Sequence, residues 1–379
     1  MIVHKLLWTR PTGWRTMRGE GAPITPQLIL LFGARASLQD SDALATLRAR
    51  YPDARLVGCS TAGEICGTDV SDDAIVAAVV QFEHTQVRVM HLPLTSMEES
   101  HRVGAELAGA LRADDLVHVL VLSEGLQVNG SALLAGLRQQ LPAHVLVTGG
   151  LAADGAQFDK TCVCIDGGCA GHAVAAVGLY GDRLQVGHGS LGGWDAFGPE
   201  RVITRSTGNV LYELDGAPAL ELYKSYLGRH ASDLPSSGLL FPLSVRGAAD
   251  EKGVVRTILG IDEAAGSLTF AGDVPQGHLA QLMKANVDRL VDGAQGAASA
   301  SLEALGSTPP ELAILISCVG RKLVLKQRVE EEVESVRDVL GDDAVLVGFY
   351  SYGEIAPFSG ATACELHNQT MTITTLRER

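Results

Sequence analysis

The side chains best suited to hold a small molecule lie in two segments that repeat one another. Residues 56–65 (LVGCSTAGEI) align without gaps on residues 346–355 (LVGFYSYGEI), with six identical positions out of ten. Both copies end in a Gly-Glu pair after an apolar stretch, and ligands in open parallel sheets bind beyond the carboxyl ends of such strands. The predicted ligand-binding residues of the two copies are Cys59, Ser60, Thr61, Glu64, Tyr350, Tyr352 and Glu354. They predict a polar pocket, provided that the two segments face each other.

The repeat also has a purely structural interpretation. The glycines would supply tight turns, and each glutamate would accept hydrogen bonds from nearby backbone amides. Buried glutamate is uncommon unless it is paired, so both roles stay open at this point.

A lone histidine suggests a different chemistry. His188 stands between Gly187 and Gly189, a few residues before Trp194. A neutral imidazole in an aromatic-lined cleft is a haem ligand, and flanking glycines would let a flat group approach the backbone. His188 is therefore a predicted ligand of haem iron and Trp194 a predicted haem contact; the alternative is an ordinary hydrogen-bonding histidine. The G-x-G-x-x-G match at 187–192 is not a dinucleotide site, because residues 193–199 cannot begin the helix that such a site needs.

The cysteines allow two further hypotheses. Seven of them are irregularly spaced, which is typical of reduced thiols in a cytosol and predicts no structural disulfide. Cys162, Cys164, Cys169 and His172 have the residue types of a metal site, although their spacing matches no standard zinc finger and buried free thiols are favoured. An enzyme with a cysteine nucleophile is the other hypothesis, but residues 58–63 lack the G-x-S-x-G pattern.

These residues sit on a predicted α/β framework. Strand, helix and return strand are expected at 27–33, 41–50 and 55–58, again at 116–122, 130–141 and 145–149, and again at 312–318, 329–340 and 345–348. Hairpin-like pairs are expected at 74–81 with 87–92, at 163–165 with 173–180, and at 256–261 with 268–271. The pattern predicts two related halves of βαβ units, with mixed sheets and antiparallel hairpins.

The net charge and the lengths of the apolar runs exclude two classes of partner, nucleic acids and membranes. The 379 residues carry a formal net charge of −14, which makes a phosphate-backbone partner improbable and predicts no binding to nucleic acid. No apolar run approaches the length of a membrane span, and the first residues lack the pattern of a secretory signal. The expected location is the cytoplasm.

Several separated motifs resemble those of FIST proteins. They are residues 56–65, Ser317 to Arg321 (SCVGR), residues 348–355 and His367 to Thr370 (HNQT). The resemblance implies an N-terminal extension at 1–24, a FIST N-terminal sensory domain at 25–220 and a FIST C-terminal domain at 221–379. It adds Cys318, His367 and Asn368 to the predicted ligand-binding residues.

The resemblance also implies a function. FIST domains are regarded as sensory, ligand-binding modules of signal transduction, and residues 192–220 are similar to a stand-alone subgroup that contains haem and senses nitric oxide. This implies haem b as a possible cofactor, nitric oxide as the signal, and a histidine kinase of a two-component system or a cyclic-di-GMP enzyme as the partner. The chain itself is not expected to be an enzyme, and a homodimer is possible.

A second hypothesis is a sensor of a small polar metabolite, such as an amino acid, without haem. Its ligand would be held by Glu64, Tyr352, Glu354 and Asn368. The third hypothesis is an enzyme that uses Cys59 or Cys318.

Overall fold

The computed structural model describes residues 1–19, 23–39, 41–247, 253–357 and 364–379. The first part of the chain contains β1 (Ile2–Thr9), β2 (Gly13–Arg18), β3 (Leu28–Gly33), α1 (Arg35–Leu38), α2 (Ser41–Arg50), β4 (Arg55–Ser60), β5 (Glu64–Cys66), β6 (Asp69–Ser71), β7 (Ile75–Gln81), β8 (Gln86–Pro93), α3 (Ser100–Leu111), β9 (Leu116–Ser123), α4 (Gly130–Gln140) and β10 (Leu146–Leu151). The middle part contains β11 (Val163–Ile165), β12 (Gly168–Ala170), β13 (Ala173–Tyr180), β14 (Leu184–Leu191), β15 (Trp194–Thr207), β16 (Val210–Leu214), β17 (Ala217–Pro218), α5 (Ala219–Leu227), β18 (Leu243–Arg246), β19 (Val254–Arg256), β20 (Ile258–Asp262), β21 (Ser267–Phe270) and β22 (Leu279–Ala285). The last part contains α6 (Val287–Ala304), β23 (Leu312–Cys318), α7 (Val319–Leu325), α8 (Val329–Leu340), β24 (Val345–Ser351), β25 (Gly353–Pro357), β26 (Cys364–His367) and β27 (Met371–Glu378).

The described strands form four sheets, of which the first three are mixed and the fourth is antiparallel. Sheet 1 has the order β12-β11-β4-β3-β7-β1-β2, and sheet 2 has the order β26-β25-β10-β9-β13-β8. Sheet 3 has the order β14-β27-β23-β24-β5-β6, and sheet 4 has the order β19-β18-β22-β15-β16-β21-β20, with β17 beside β16. The predicted α/β class with mixed sheets is confirmed.

Three βαβ units lie at the centre of sheets 1, 2 and 3. Their parallel strand pairs are β3 with β4, β9 with β10, and β23 with β24. Every residue of β3 and of β23 is buried, as the continuous apolar runs predict for strands covered on both faces. Helix α8 covers its sheet with one apolar stripe, of which Val333, Val336 and Leu340 are buried.

The three sheets exchange strands in a ring. After β4 the chain enters sheet 3, where β5 pairs with β24. After β24 it enters sheet 2, where β25 pairs with β10, and after β10 it enters sheet 1, where β11 pairs with β4. One apolar core is enclosed by all three sheets; within it the rings of Phe32 and Phe349 stack with their centroids 4.7 Å apart. The three units are thus related by an approximate three-fold arrangement, with two units in the first half of the chain and one in the second.

Two of the three expected hairpins do not form. Strand β7 lies in sheet 1 and β8 in sheet 2, while β11 lies in sheet 1 and β13 in sheet 2. Neighbours in the chain separate here because each apolar strand completes a different sheet. The third expected hairpin exists as β20 with β21.

Other elements extend the three-unit body. Strands β1 and β2, within residues 1–24, add to the edge of sheet 1 next to β7. Sheet 4 and α5 enclose a separate apolar core that includes Leu220, Tyr223 and Phe270. Among the described residues, no helix is both long enough and apolar enough to cross a membrane.

Candidate functional site

The carboxyl ends of β4, β10 and β24 meet in a ring of backbone hydrogen bonds. The three bonds run from Ala62 N–H to Tyr350 O (2.8 Å), from Tyr352 N–H to Leu151 O (3.3 Å) and from Ala153 N–H to Ser60 O (2.8 Å). Each unit donates once and accepts once, so residues 60–62, 151–153 and 350–352 are structurally equivalent. The sequence repeat at 56–65 and 346–355 therefore has a third structural counterpart, which lacks the Gly-Glu pair.

Three glycines mark the same register in the three units. A Cβ added to the glycine would lie 2.0 Å from Leu31 O at Gly58, 1.9 Å from Val121 O at Gly149 and 1.8 Å from Leu315 O at Gly348. Any side chain at these positions would collide with the backbone of the parallel neighbour. The close approach of the two strands explains why glycine recurs there.

A cavity of about 670 Å³ opens beside this ring, and we call it the first cavity. All three units contribute to its wall. Its lining consists of Ala34, Arg35, Ala36, Thr61, Ala62, Asp72, Asp73, Asp154, Gly155, Ala156, Gln157, Val319, Lys322, Leu323 and Lys326. Of the ligand-binding residues predicted from the sequence, Thr61 belongs to this lining and the others do not.

Glu64 lies behind Thr61, fully buried and occupied by local donors. Thr61 Oγ1–H donates to its Oε1 (2.5 Å), and Ala74 N–H donates to its Oε2 (3.1 Å). Burial raises the pKa of Glu64 to about 7, against the opposing effect of these hydrogen bonds. The carboxyl group therefore fastens the turn after β4, as in the structural interpretation of the repeat.

Glu354 has the equivalent arrangement in the third unit. Ser351 Oγ–H donates to its Oε1 (2.7 Å), while Thr370 donates to its Oε2 from both N–H (3.1 Å) and Oγ1–H (3.0 Å). Burial raises the pKa of Glu354 to about 8. In both units, a hydroxyl group three residues before the glutamate donates a hydrogen bond to its carboxyl group.

The two tyrosines of residues 346–355 donate their hydroxyl hydrogens to acidic side chains other than Glu354. Tyr350 O–H donates to Glu332 Oε1 (2.6 Å), and Glu332 pairs with the fully buried Arg321 (2.8 Å). Tyr352 O–H donates to Asp154, and the ring of Phe158 stacks on Tyr352 at 4.3 Å between centroids. Both hydroxyls therefore position neighbouring segments of the protein.

Asp154 organises the loop at the wall of the first cavity. Its carboxylate accepts the backbone N–H groups of Phe158 (3.0 Å), Asp159 (3.0 Å) and Lys160 (2.8 Å), in addition to the hydroxyl of Tyr352. Four donors on one carboxylate make this loop a fixed part of the cavity.

The remaining predicted ligand residues are buried in the protein interior. Ser60 Oγ accepts from Cys162 N–H (3.0 Å), His367 Nε2 lies 2.9 Å from Ala356 O, and Asn368 Oδ1 accepts from Thr257 N–H (3.3 Å).

The two predicted cysteine nucleophiles are buried as well. Burial raises the pKa of the Cys59 thiol and of the Cys318 thiol well above the ordinary value. A high pKa disfavours the thiolate that a cysteine nucleophile requires.

The charged side chains of the first cavity differ in how far they are already paired. Lys322 Nζ donates to Ala62 O (2.8 Å) and pairs with Asp72. Arg35 is half-buried, and within the described parts of the chain its guanidinium has no hydrogen-bond or ion-pair partner. The Asp73 carboxylate likewise has none among those residues, and its segment is tied to α1 by Ser37 Oγ–H to Asp73 O (2.8 Å). Lys326, which is exposed, also has no hydrogen-bond or ion-pair partner for its ammonium in the described parts of the chain. Two cations and one anion of the lining are thus unpaired among those residues.

A second cavity, of about 350 Å³, lies on the other side of Arg35. Its lining consists of Arg35, Gln39, Glu124, Leu126, Gln127, Asp159, Lys160, Thr161, Cys162, Cys169, Gly171 and His172. The prediction of no disulfide is wrong in this structure, because Cys164 and Cys169 are bonded. The hairpin of β11 and β12 places them directly opposite each other, a proximity that residue spacing alone does not reveal.

The predicted haem residues lie apart from both cavities. His188 is on β14, and Cβ atoms on its neighbours Gly187 and Gly189 would lie 2.2 Å from Ser301 O and 2.0 Å from Ala297 O of α6. Helix α6 therefore occupies the space that the glycines were expected to leave for a flat group. Trp194 packs in a different cluster, where its indole N–H donates to Gln369 O (2.9 Å). Although His188 Nδ1 is buried and has no hydrogen-bond partner in the described part of the chain, these surroundings do not fit a haem.

His188 instead lies close to His118 in the interior. Burial first, and then the neighbouring His188, lowers the pKa of His118 to about 3. His118 Nε2 lies 2.9 Å from Thr148 Oγ1, which also accepts from Thr374 Oγ1–H (2.8 Å). The two rings belong to a buried polar cluster between sheets 2 and 3.

The residues that line the first cavity were largely missed by sequence reasoning. Arg35 comes two residues after β3, and Asp154 comes three residues after β10. Both positions satisfy the rule that ligands bind beyond the carboxyl ends of parallel strands. Neither strand end carries a Gly-Glu pair, so the repeat in the sequence does not point to Arg35 or to Asp154.

Comparisons with known proteins identify the two halves of the chain. The FIST N domain family matches residues 27–217, and the FIST C domain family matches residues 219–357. An uncharacterised protein of Mycobacterium tuberculosis is 28% identical over 371 residues, covering 93% of this chain and 92% of its own length. Another, from Methanocaldococcus jannaschii, is 24% identical over 342 residues, covering 81% of this chain and 62% of its own length. A crystal structure of cyanuric acid hydrolase from A. caulinodans, 11% identical, covers 78% of this chain and 99% of its own with a TM-score of 0.18, which is too low for any inference.

Proposed function

We propose, because the chain belongs to the FIST family, that it is a sensory protein whose first cavity binds a small zwitterionic metabolite such as an amino acid. FIST domains are associated with the sensing of small ligands in signal transduction. The observation that carries the proposal is that Arg35 and Asp73 both line the first cavity and have no hydrogen-bond or ion-pair partner for their charged groups among the described residues.

The chemistry of the cavity favours a ligand with both charges. Its lining holds three cationic side chains, Arg35, Lys322 and Lys326, and three acidic ones, Asp72, Asp73 and Asp154. Lys322, Asp72 and Asp154 already have protein partners, so Arg35, Lys326 and Asp73 are the groups open to a ligand carboxylate and a ligand ammonium. Of the two cations, Arg35 is half-buried and Lys326 is exposed, so Arg35 is the proposed partner of the carboxylate. A guanidinium binds a carboxylate through two parallel hydrogen bonds, which fixes the ligand's orientation. The volume of about 670 Å³ is in the range of small-molecule sites.

Matched compounds test this proposal. We expect one or more free amino acids to raise the melting temperature of the full chain by several degrees at about 100 times the dissociation constant. The amide of the same amino acid lacks the carboxylate and its N-acetyl derivative lacks the ammonium, so neither should produce the shift. Equal shifts with all three compounds, or no shift with any amino acid, would contradict the proposal.

Haem-based sensing of nitric oxide, with a histidine kinase or cyclic-di-GMP enzyme as partner, stays a prediction from the resemblance. The surroundings of His188 add no support to it. Protein purified with haem supplied should show a Soret band that His188→Ala abolishes if the prediction holds. The same band in the variant would exclude His188 as the ligand.

A further inference from the structure

We propose that Cys162, Cys164 and Cys169 form a binding site for a thiophilic divalent cation, Zn²⁺ above all, when the protein is reduced. The three Sγ atoms all lie within 4.8 Å of one another. Thiolates that meet around one ion in this way favour zinc over magnesium or calcium, because the latter prefer oxygen ligands. This site is separate from the metabolite proposed for the first cavity and does not depend on it.

The fold holds the three thiols in place through the backbone. Cys164 lies opposite Cys169 in the pairing of β11 with β12, and Cys162 immediately precedes β11 and packs in the same apolar cluster as the other two. Ser60 fixes Cys162 from both sides: its Oγ accepts Cys162 N–H (3.0 Å) and its N–H donates to Cys162 O (2.9 Å). The site is therefore assembled on a rigid sheet edge before any ion arrives.

The surroundings suit a metal with one exchangeable position. Cys164 is fully buried, whereas Cys162 and Cys169 line the second cavity together with His172 and Glu124. Zinc takes four ligands, so the fourth would come from water in that cavity, since His172 does not belong to the cluster that the three sulfur atoms form.

The oxidation state of the hairpin decides whether the ion can bind. The bond between Cys164 and Cys169 occupies two of the three sulfur ligands. A dithiol reductant breaks the S–S bond by supplying two electrons and two protons, which yields two thiols while the reductant becomes a disulfide. Zinc then forms three Zn–S bonds as the three thiols release three protons to solvent. Oxidant and metal compete for the same sulfur atoms.

Cobalt titration of the full chain tests the proposal directly. Protein freed of metal by a chelator, reduced with a phosphine and kept without oxygen, is titrated with Co²⁺ and then with Zn²⁺. We expect one Co²⁺ per chain, with the absorption of thiolate-to-cobalt charge transfer, and displacement of that absorption by one equivalent of Zn²⁺. Cys162→Ser and Cys169→Ser should each weaken the binding by at least about 100-fold, since they remove a direct ligand.

Two controls separate the site from a general effect of buried thiols. Cys66→Ser alters a buried cysteine in sheet 3 and should change the affinity less than about twofold. The unmutated protein in its oxidised form should bind no Co²⁺ and should recover binding on reduction, which needs no variant to fold. Absence of stoichiometric binding by the reduced chain, equal binding by the oxidised chain, or equal loss in Cys66→Ser would each overturn the proposal.

Discussion

Arg35→Gln should weaken metabolite binding without changing the stability of the fold. The side chain is half-buried between the two cavities and has no partner among the described residues. Removing its charge therefore breaks no hydrogen bond or ion pair within the described parts of the ligand-free protein. We expect the free energy of unfolding to change by less than about 0.5 kcal/mol, as for substitutions away from packed or paired groups.

The size of the binding effect follows from the contact that is lost. A hydrogen bond to a charged group contributes about 1.5–3 kcal/mol, and a bidentate pair of guanidinium and carboxylate lies toward the upper end of that range. Since about 1.4 kcal/mol corresponds to a tenfold change, Arg35→Gln should raise the dissociation constant about 10- to 150-fold. Arg35→Lys keeps the charge but loses the geometry of two parallel hydrogen bonds. Its dissociation constant should therefore lie between those of the unmutated protein and Arg35→Gln.

Isothermal titration of the amino acid that gives the largest thermal shift measures these constants. Arg10→Gln is the matched control, because Arg10 is exposed in the turn between β1 and β2 and lines neither cavity. The reasoning is refuted if Arg35→Gln binds within twofold of the unmutated protein, or if Arg10→Gln weakens binding equally.

Two further substitutions test the buried groups behind the cavity. Arg321→Met leaves the fully buried carboxylate of Glu332 without its cation and should lower the free energy of unfolding, measured in urea, by about 3–5 kcal/mol. Adding Glu332→Gln to Arg321→Met should restore part of the lost free energy of unfolding. If the double variant instead lost the sum of the two single losses, the pairing of Arg321 with Glu332 would be contradicted. Because the folded pKa is about 7 for Glu64 and about 8 for Glu354, against an ordinary value of 4.5, the folded state binds these protons more tightly. The contribution of these two groups to the free energy of unfolding should therefore be complete below about pH 4.5 and fall as the pH rises through about 8, by up to about 1.4 kcal/mol per pH unit for each group. Buried His118 and His367, whose pKa values are lowered to about 3 and about 4, act in the opposite sense below about pH 6.5, so the comparison is made between each glutamate variant and the unmutated protein. Glu64→Gln and Glu354→Gln should each flatten this fall, and an unchanged slope would argue against the raised values.

Most of the central framework is predictable from the sequence, because a strand that is buried on both faces has a continuous run of apolar residues. Strand β23 has the predicted bounds, as does helix α8. The pairing of β7 and β8 is not predictable in the same way, since an apolar strand fits any sheet and proximity in the chain does not decide which one.

The site is less predictable, because its decisive property is the absence of partners. Arg35 looks like any arginine at the start of a helix, and only the fold reveals that no described residue forms a hydrogen bond or ion pair with its guanidinium. Glu64 and Glu354 stand out in the sequence because they repeat, yet each is occupied by a hydroxyl three residues earlier. The residues that repeat in this chain therefore build the turns around the cavity, and most of them do not face it.

The most direct test of the account is a crystal structure of the chain with the amino acid that shifts its melting temperature most. We expect electron density in the first cavity, with the ligand carboxylate on the Arg35 guanidinium and its ammonium directed to Asp73. Density bound elsewhere, with the first cavity filled only by water, would contradict it.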